Sequence, residues 1–184
     1  MSSYHTPVTE KFTSSGTYTP PPWALFLDRI VVGGGHGGKG GQSAFIVGTG
    51  GLGGTWNADT IDLTATPVSS LSVTVGAGGA GGAGGGTFSQ PLGSPGGDSI
   101  VSGTGVPTLT GAGATGYNSG NPGLGPGPET YNSQMYPGGG TQSSAGSAGN
   151  PPGGGSAGGG SVWYFGLAAG NAADGVVYIV ARMS

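Results

Sequence analysis

The feature that most constrains this chain is glycine laid directly onto the ends of apolar segments. Residues 21–41 carry the pattern first. Leu25, Phe26, Leu27, Ile30, Val31 and Val32 form a short run rich in β-branched residues, and the run Gly-Gly-Gly-His-Gly-Gly-Lys-Gly-Gly at 33–41 follows without a break. Proline before and glycine after bound the apolar run, which reads as a strand over 25–32 buried on both faces. The glycine run offers almost no side chain to bury and loses much backbone entropy on ordering, so partners outside it must hold it. Ile46-Val47 before Gly48, and Val73-Thr74-Val75 before Gly76, repeat the step from apolar segment to glycine, without a fixed period.

Residues 76–85 add a period. Ala77, Ala80 and Ala83 recur every third residue in an otherwise glycine run, and three residues per turn is the period of the left-handed polyproline II helix. Such a helix has no internal hydrogen bonds and turns its N–H and C=O groups outward, so glycine segments packed side by side can satisfy one another's backbone. Collagen is excluded, because the triplet register is brief and lacks proline at the other positions. The glycine segments are expected to behave as loops held between fixed ends.

The remaining segments suggest short strands. In 60–66, Ile61 and Leu63 alternate with polar residues, and in 70–75 Leu71, Val73 and Val75 do the same; the turn formers at 67–70 join them as an expected hairpin. Phe12 and Tyr18 flank a Ser-Ser-Gly turn that suits a hairpin or an edge strand. The apolar run 176–181 is expected beside 25–32, uniting the chain ends in one sheet. Residues 44–47 read as a further strand or a plug, 103–156 as a long surface excursion, and Trp23, Trp56, Trp163, Tyr164 and Phe165 as core. The expected fold is therefore all-β: a small β-sandwich or jelly-roll-like core joining N- and C-terminal strands, with long glycine-rich loops, polyglycine or polyproline II segments and almost no helix. Residues 1–11 read as a polar N-terminal arm and 12–184 as a single glycine-rich β domain.

Composition excludes several functions. Of 184 residues, 47 are Gly and 14 Pro, yet only four are basic and seven acidic, for a net charge of −3. No basic patch exists to neutralise a string of phosphates, so nucleic acid is not an expected partner. No stretch approaches the ~20 apolar residues that cross a bilayer, so membrane insertion is not expected, and the N-terminus lacks the pattern of a secretory signal. There is no cysteine, hence no disulfide or thiolate metal site.

Catalytic and cofactor motifs fail on inspection. Gly33-x-Gly35-x-x-Gly38 follows a strand as a dinucleotide fingerprint does, and Lys39 completes most of a phosphate loop, but both need a helix to receive the phosphate and more glycine follows. His5 and His36 are the two imidazoles, too few for a zinc site without carboxylates. Asp59 and Asp62 sit at odd spacing on a strand, which points them to opposite faces and away from the paired geometry of a glycosidase. Gly97-Asp98-Ser99 does not continue into a nucleophile elbow. No catalytic, cofactor or metal residues are assigned and no enzyme is expected. Tyr117, Tyr131 and Tyr136, in the polar proline-glycine region, are the candidate surface-binding residues; the alternative is that they cap glycine packing.

Taken in order, Tyr18-Thr19-Pro20, the Trp-containing strand ending in Ile30-Val31-Val32-Gly33-Gly34-Gly35, the run from Val73 through Gly-Ala-Gly-Gly-Ala-Gly, Gly96-Gly97-Asp98-Ser99 and a closing Gly-x-Val-x-Ile strand resemble the glycine-rich minor tail proteins of actinobacterial, notably mycobacterial, bacteriophages. The resemblance spans roughly 12–181. It implies a structural protein of the virion tail tip, made in the host cytoplasm, that contributes to host attachment. Implied partners are other tail-tip proteins and a host-surface glycan or lipid, with assembly as a homo-oligomer, a trimer first. The alternatives are a polyglycine-helix module binding ice or glycan, and a tail-associated glycan hydrolase.

Overall fold

The computed structural model describes residues 5–184, in which ten strands and no helix occur. Two four-stranded antiparallel sheets face each other. One has the order β1 (Val8–Phe12), β10 (Val176–Arg182), β3 (Phe26–Val32), β4 (Trp56–Asp62); the other has β2 (Gly16–Tyr18), β5 (Leu71–Thr74), β6 (Ser99–Gly103), β7 (Val106–Gly111). A hairpin of β8 (Glu129–Tyr131) and β9 (Gln134–Tyr136) forms a separate two-stranded sheet packed on the outer face of the first. Its turn residues Asn132 and Ser133 have φ of 46° and 60°, the left-handed pair that a tight hairpin turn requires.

The expected sandwich is present, and β3 explains it. Leu27 and Val31 point between the sheets with Leu71, Val73, Val101, Leu109, Val177 and Ile179. Ile30 and Val32 point the other way, joining Val176, Tyr178 and Val180 beneath Tyr136. Burying each such side chain is worth about 1.5–3 kcal/mol, so the apolar run 25–32 is central because both its faces are covered. The expected pairing of chain ends holds, with Val176 opposite Val32 and Arg182 opposite Phe26. Arg29, fully buried, ties the two layers: its guanidinium binds the Asp59 carboxylate and donates to the Pro107 carbonyl at 3.0 Å.

Several expectations are corrected. Segment 60–66 does not pair with 70–75. β4 pairs with β3 and β5 with β2 and β6, so the two lie in opposite sheets. The Asp62 carboxylate accepts from the Thr64 amide and hydroxyl, and Leu63 and Val68 pack against the core, so the connection arches from one layer to the other. Phe12 and Tyr18 likewise end strands of different sheets, each at a sheet edge. Of the expected arm, residues 1–4 lie outside the described residues, and Val8–Phe12 is a strand on β10. Part of the expected excursion 103–156 supplies β7 and the β8–β9 hairpin.

The glycine segments are not loops but a second packed body. Run 33–41 lies at its centre and is buried throughout except at half-buried Lys39. Its amides are shared out by threes. Gly34, Gly37 and Gly40 donate to the carbonyls of Gly97, Ser94 and Pro91; His36 and Lys39 donate to Leu52 and Thr49; Gly35 and Gly41 donate to Ala173 and Leu167. Its carbonyls follow the same rule, Gly35, Gly38 and Gly41 accepting from Gly79, Gly82 and Gly85. A three-residue hydrogen-bond period on every side is the signature of three-fold glycine helices packed laterally. A Cβ on Gly34, Gly37 or Gly40 would collide with the carbonyls of Ala77, Ala80 and Ala83. Those alanines themselves face solvent, while Gly76, Gly79, Gly82 and Gly85 face inward. Period three in the sequence thus marks one open edge of a backbone-packed helix.

Candidate functional site: the loops at the far end of the glycine bundle

Register and direction place three loops together. Run 33–41 leaves the sandwich at β3, and 48–55 returns to β4. Run 76–85 leaves at β5, and 91–97 returns to β6. Run 153–160 travels outward beside them, and 167–175 returns to β10. The turns between these pairs, at 42–47, 86–90 and 161–166, therefore share the end remote from the sheets, about 25 Å along the axis from the end of β3 at a rise of ~3.1 Å per residue.

Hydrogen bonds lock the turns to one another. Gly166 donates to Gly85 at 2.7 Å, Gly41 to Leu167 at 2.9 Å, and Gly85 to Gly41 at 2.9 Å, closing the last layer. Beyond it, Ala44 donates to the Trp163 carbonyl at 3.0 Å, and Gln42 to that of Ile46 at 2.8 Å. The Gln90 amide donates to Val47 at 2.9 Å, and the Ser161 hydroxyl to Gln42.

The residues held this way are apolar and bare. Phe88 is 90% exposed, Tyr164 83%, Phe45 66% and Trp163 60%, and Ile46, Val47, Val162, Phe165 and Leu167 are exposed beside them. The Phe45 and Trp163 rings meet at 5.7 Å. Ala44, Phe45 and Phe88 hold φ of 60°, 64° and 64°, conformations unfavourable for residues with a Cβ that persist only where the surrounding structure holds them. The sequence reading of 44–47 as strand or plug, and of Trp163, Tyr164 and Phe165 as core, is overturned. Trp23 and Trp56 do pack partly buried against the sandwich cores.

The three candidate tyrosines do not form one face. Tyr117 lies on the flank of the bundle, its hydroxyl donating to Gly93 at 3.0 Å, its ring 4.6 Å from that of His36 and beneath the Lys39 ammonium at 4.6 Å. Burial pushes its hydroxyl pKa up. Tyr131 and Tyr136 belong to the β8–β9 hairpin. Tyr136 is 4% exposed and stacks obliquely on Tyr178 at 5.0 Å, so it is a core residue rather than a surface one. Tyr131 is half-buried with its hydroxyl 2.9 Å from that of Thr60.

The rejected motifs have structural duties. Run 33–41 is itself the central glycine helix, so no α-helix follows for a phosphate to cap. His36 is buried, Nδ1 2.6 Å from the Gly37 carbonyl, and His5 stacks on Trp23. Ser99 accepts from the Gly76 amide and Asp98 from that of Gly113. Asp28, buried beneath the β8–β9 hairpin, would be pushed up by burial. Hydrogen bonds from Arg182, Thr60 and Asn132, with the Arg182 charge, outweigh this and hold its carboxyl below the usual range. Among the described residues no group of three or more His, Asp or Glu side chains could hold a metal ion.

An architecture of glycine hairpins rooted in a β-sandwich defines a glycine-rich structural domain, and the comparisons agree. The family described as the glycine-rich domain matches residues 10–110. The chain is 42% identical over 146 residues to the Gene 32 protein of Mycobacterium phage L5, a match covering 74% of this chain and 66% of that protein. The chain belongs to the glycine-rich domain family, as a glycine-rich protein of the mycobacteriophage type. It spans just under two thirds of the length of that phage relative.

Proposed function

We propose that this is a non-enzymatic structural protein of the virion tail tip whose glycine bundle presents the three-loop cluster to the host surface. One observation carries the reading: a stiff, backbone-packed body ends in a protruding apolar surface, while the opposite end is a conventional sandwich. Exposed apolar patches of this kind mark interaction sites. The phage-encoded relative and the resemblance to minor tail proteins supply the setting. The sandwich end then serves assembly with other tail-tip proteins, as a homo-oligomer with a trimer the first expectation.

Two measurements test it. Antibody to this chain, viewed by negative stain on virions, is expected at the tail tip; label confined to capsids removes the reading. Virions carrying Phe45→Asn, Phe88→Asn and Trp163→Ser together are expected to assemble normally and adsorb to host cells at least about tenfold more slowly, since each ring withdrawn from contact forfeits on the order of 1.4 kcal/mol or more. Unchanged adsorption would separate the loops from attachment.

A further inference from the structure

We propose that the three-loop tip binds the hydrocarbon layer of a lipid surface, its aromatic and aliphatic side chains dipping into the acyl region, rather than reading a glycan; this rests on the attachment function above and specifies its partner.

The distribution of charge is the first ground. The segments 42–47, 86–92 and 161–167 contain no Asp, Glu, Lys, Arg or His. Of the eleven charged residues of the chain, Glu10, Lys11, Asp28, Arg29, Asp59, Asp62, Asp98, Glu129, Asp174 and Arg182 lie in or beside the strands. The remaining one, Lys39, rests its ammonium on the Tyr117 ring. A tip cleared of charge enters hydrocarbon without the cost of desolvating an ion.

Shape and hydrogen bonding supply the second. A saccharide is recognised by polar groups converging on its hydroxyls. Here Gln90 and Ser161 turn their side chains back onto the loop carbonyls of Val47 and Gln42. These two polar side chains fix the loops, and the bare surface beside them is mainly ring and aliphatic carbon. Phe88 and Tyr164, the most exposed rings, stand almost wholly bare at the loop ends. Projecting Phe, Ile, Val and Leu with Trp and Tyr among them match an interfacial layer, where Trp and Tyr sit at the headgroup level and the others pass beneath.

This revises the expectation of no membrane insertion. That expectation tested for one long apolar stretch, whereas the tip gathers three short ones from distant parts of the chain. Its side chains enter the surface; no segment crosses it.

The test uses the purified chain with neutral phosphatidylcholine vesicles and, in parallel, delipidated mycobacterial cell-wall glycan. The wild-type protein is expected to float with vesicles equally well at low and high salt, because no ion pair is involved, with a blue-shifted tryptophan emission that Trp163→Phe removes. The variant combining Phe45→Asn, Phe88→Asn and Trp163→Ser is expected to keep its melting temperature and lose about a hundredfold or more in vesicle affinity. Binding to glycan but not vesicles overturns the proposal, as does equal vesicle binding by wild type and variant, or tip-dependent self-association in place of lipid binding. If vesicle binding fails while the virion variant still adsorbs slowly, the lipid assignment falls and the attachment function stands. If vesicle binding holds while variant virions adsorb normally, the attachment function falls instead.

Discussion

The sandwich and the glycine bundle solve the same problem by opposite means. In the sandwich, Leu27, Val31, Leu71, Val101 and Ile179 leave water and the ladders of β3 and β10 satisfy the backbone as a consequence. In the bundle almost nothing apolar is buried, and the backbone groups themselves are the contact surface, run 33–41 bonding to its neighbours on every side. Each glycine there costs roughly 0.5–1 kcal/mol more entropy than alanine would. The bundle therefore needs its ends fixed, and the strands fix them: β3 and β4, then β5 and β6, are the roots of two of its hairpins. Side-chain burial in one region sustains backbone packing in the other.

Substitutions in the two regions should break this dependence in different ways. Leu27→Ala opens the sandwich core and is expected to cost about 2–5 kcal/mol in urea unfolding, with the bundle lost in the same transition. A bundle that outlasts the sandwich, seen as amides of 33–41 still protected from exchange after the strands have opened, would refute the dependence. Next, Gly79→Leu places a Cβ 2.8 Å from the Pro95 carbonyl oxygen and nearer still to that of Ser94, so a cost of about 1–3 kcal/mol or more is expected. Its neighbour Ala80 sits on the open edge, and Ala80→Leu should stay within about 0.5 kcal/mol. Equal effects at 79 and 80 would show that the three-residue register is wrong.

Charge sharpens the sandwich side. Asp28 has its carboxyl held below the usual range, so its contribution is full above the unfolded value near ~3.9 and is lost as pH falls through the folded value. The melting temperature should fall on that acid limb. Asp28→Asn should flatten the limb and cost about 1–3 kcal/mol at neutral pH by leaving Arg182 and Thr60 short of a partner. A limb of unchanged slope in the variant would assign acid sensitivity elsewhere. The smallest effect is expected at Tyr178, whose buried hydroxyl has no hydrogen-bond partner. Tyr178→Phe should change stability by less than about 0.5 kcal/mol or raise it, because no bond is lost; a clear loss would mean that the hydroxyl has a partner.

Much of the sandwich was legible in the sequence because side chains write it. The run 25–32 brings Leu27, Ile30, Val31 and Val32 to the two cores, with only Asp28 and Arg29 breaking it, and 176–181 is as apolar, so their pairing is legible. Connections were less legible. The alternation at Ile61 and Leu63 and at Leu71 and Val73 gives the face each residue buries but not the sheet it joins, and an arch over the core looks locally like a hairpin. The bundle was half legible: Ala77, Ala80 and Ala83 declared their period, but backbone contacts leave no side-chain pattern, and the other runs looked like loops. The tip is the least legible part. Trp163, Tyr164 and Phe165 read as core because apolar residues usually are, and Phe45 lies in a segment that reads as a strand or a plug. The signal was their position, each between an outgoing and a returning glycine run, which marks a hairpin end once the runs are taken as rigid.

The three-fold winding of the glycine runs also governs which insertions and deletions this chain can survive. Removing one residue from 76–85 would rotate all that follows by a third of a turn and drive alanine methyls into neighbouring carbonyls. Removing three shortens the helix by a whole turn and forfeits one layer of bonds, but returns the residues that follow to their original faces. A β-strand is governed by twos and this bundle by threes, so chains built on its plan change length in triplets.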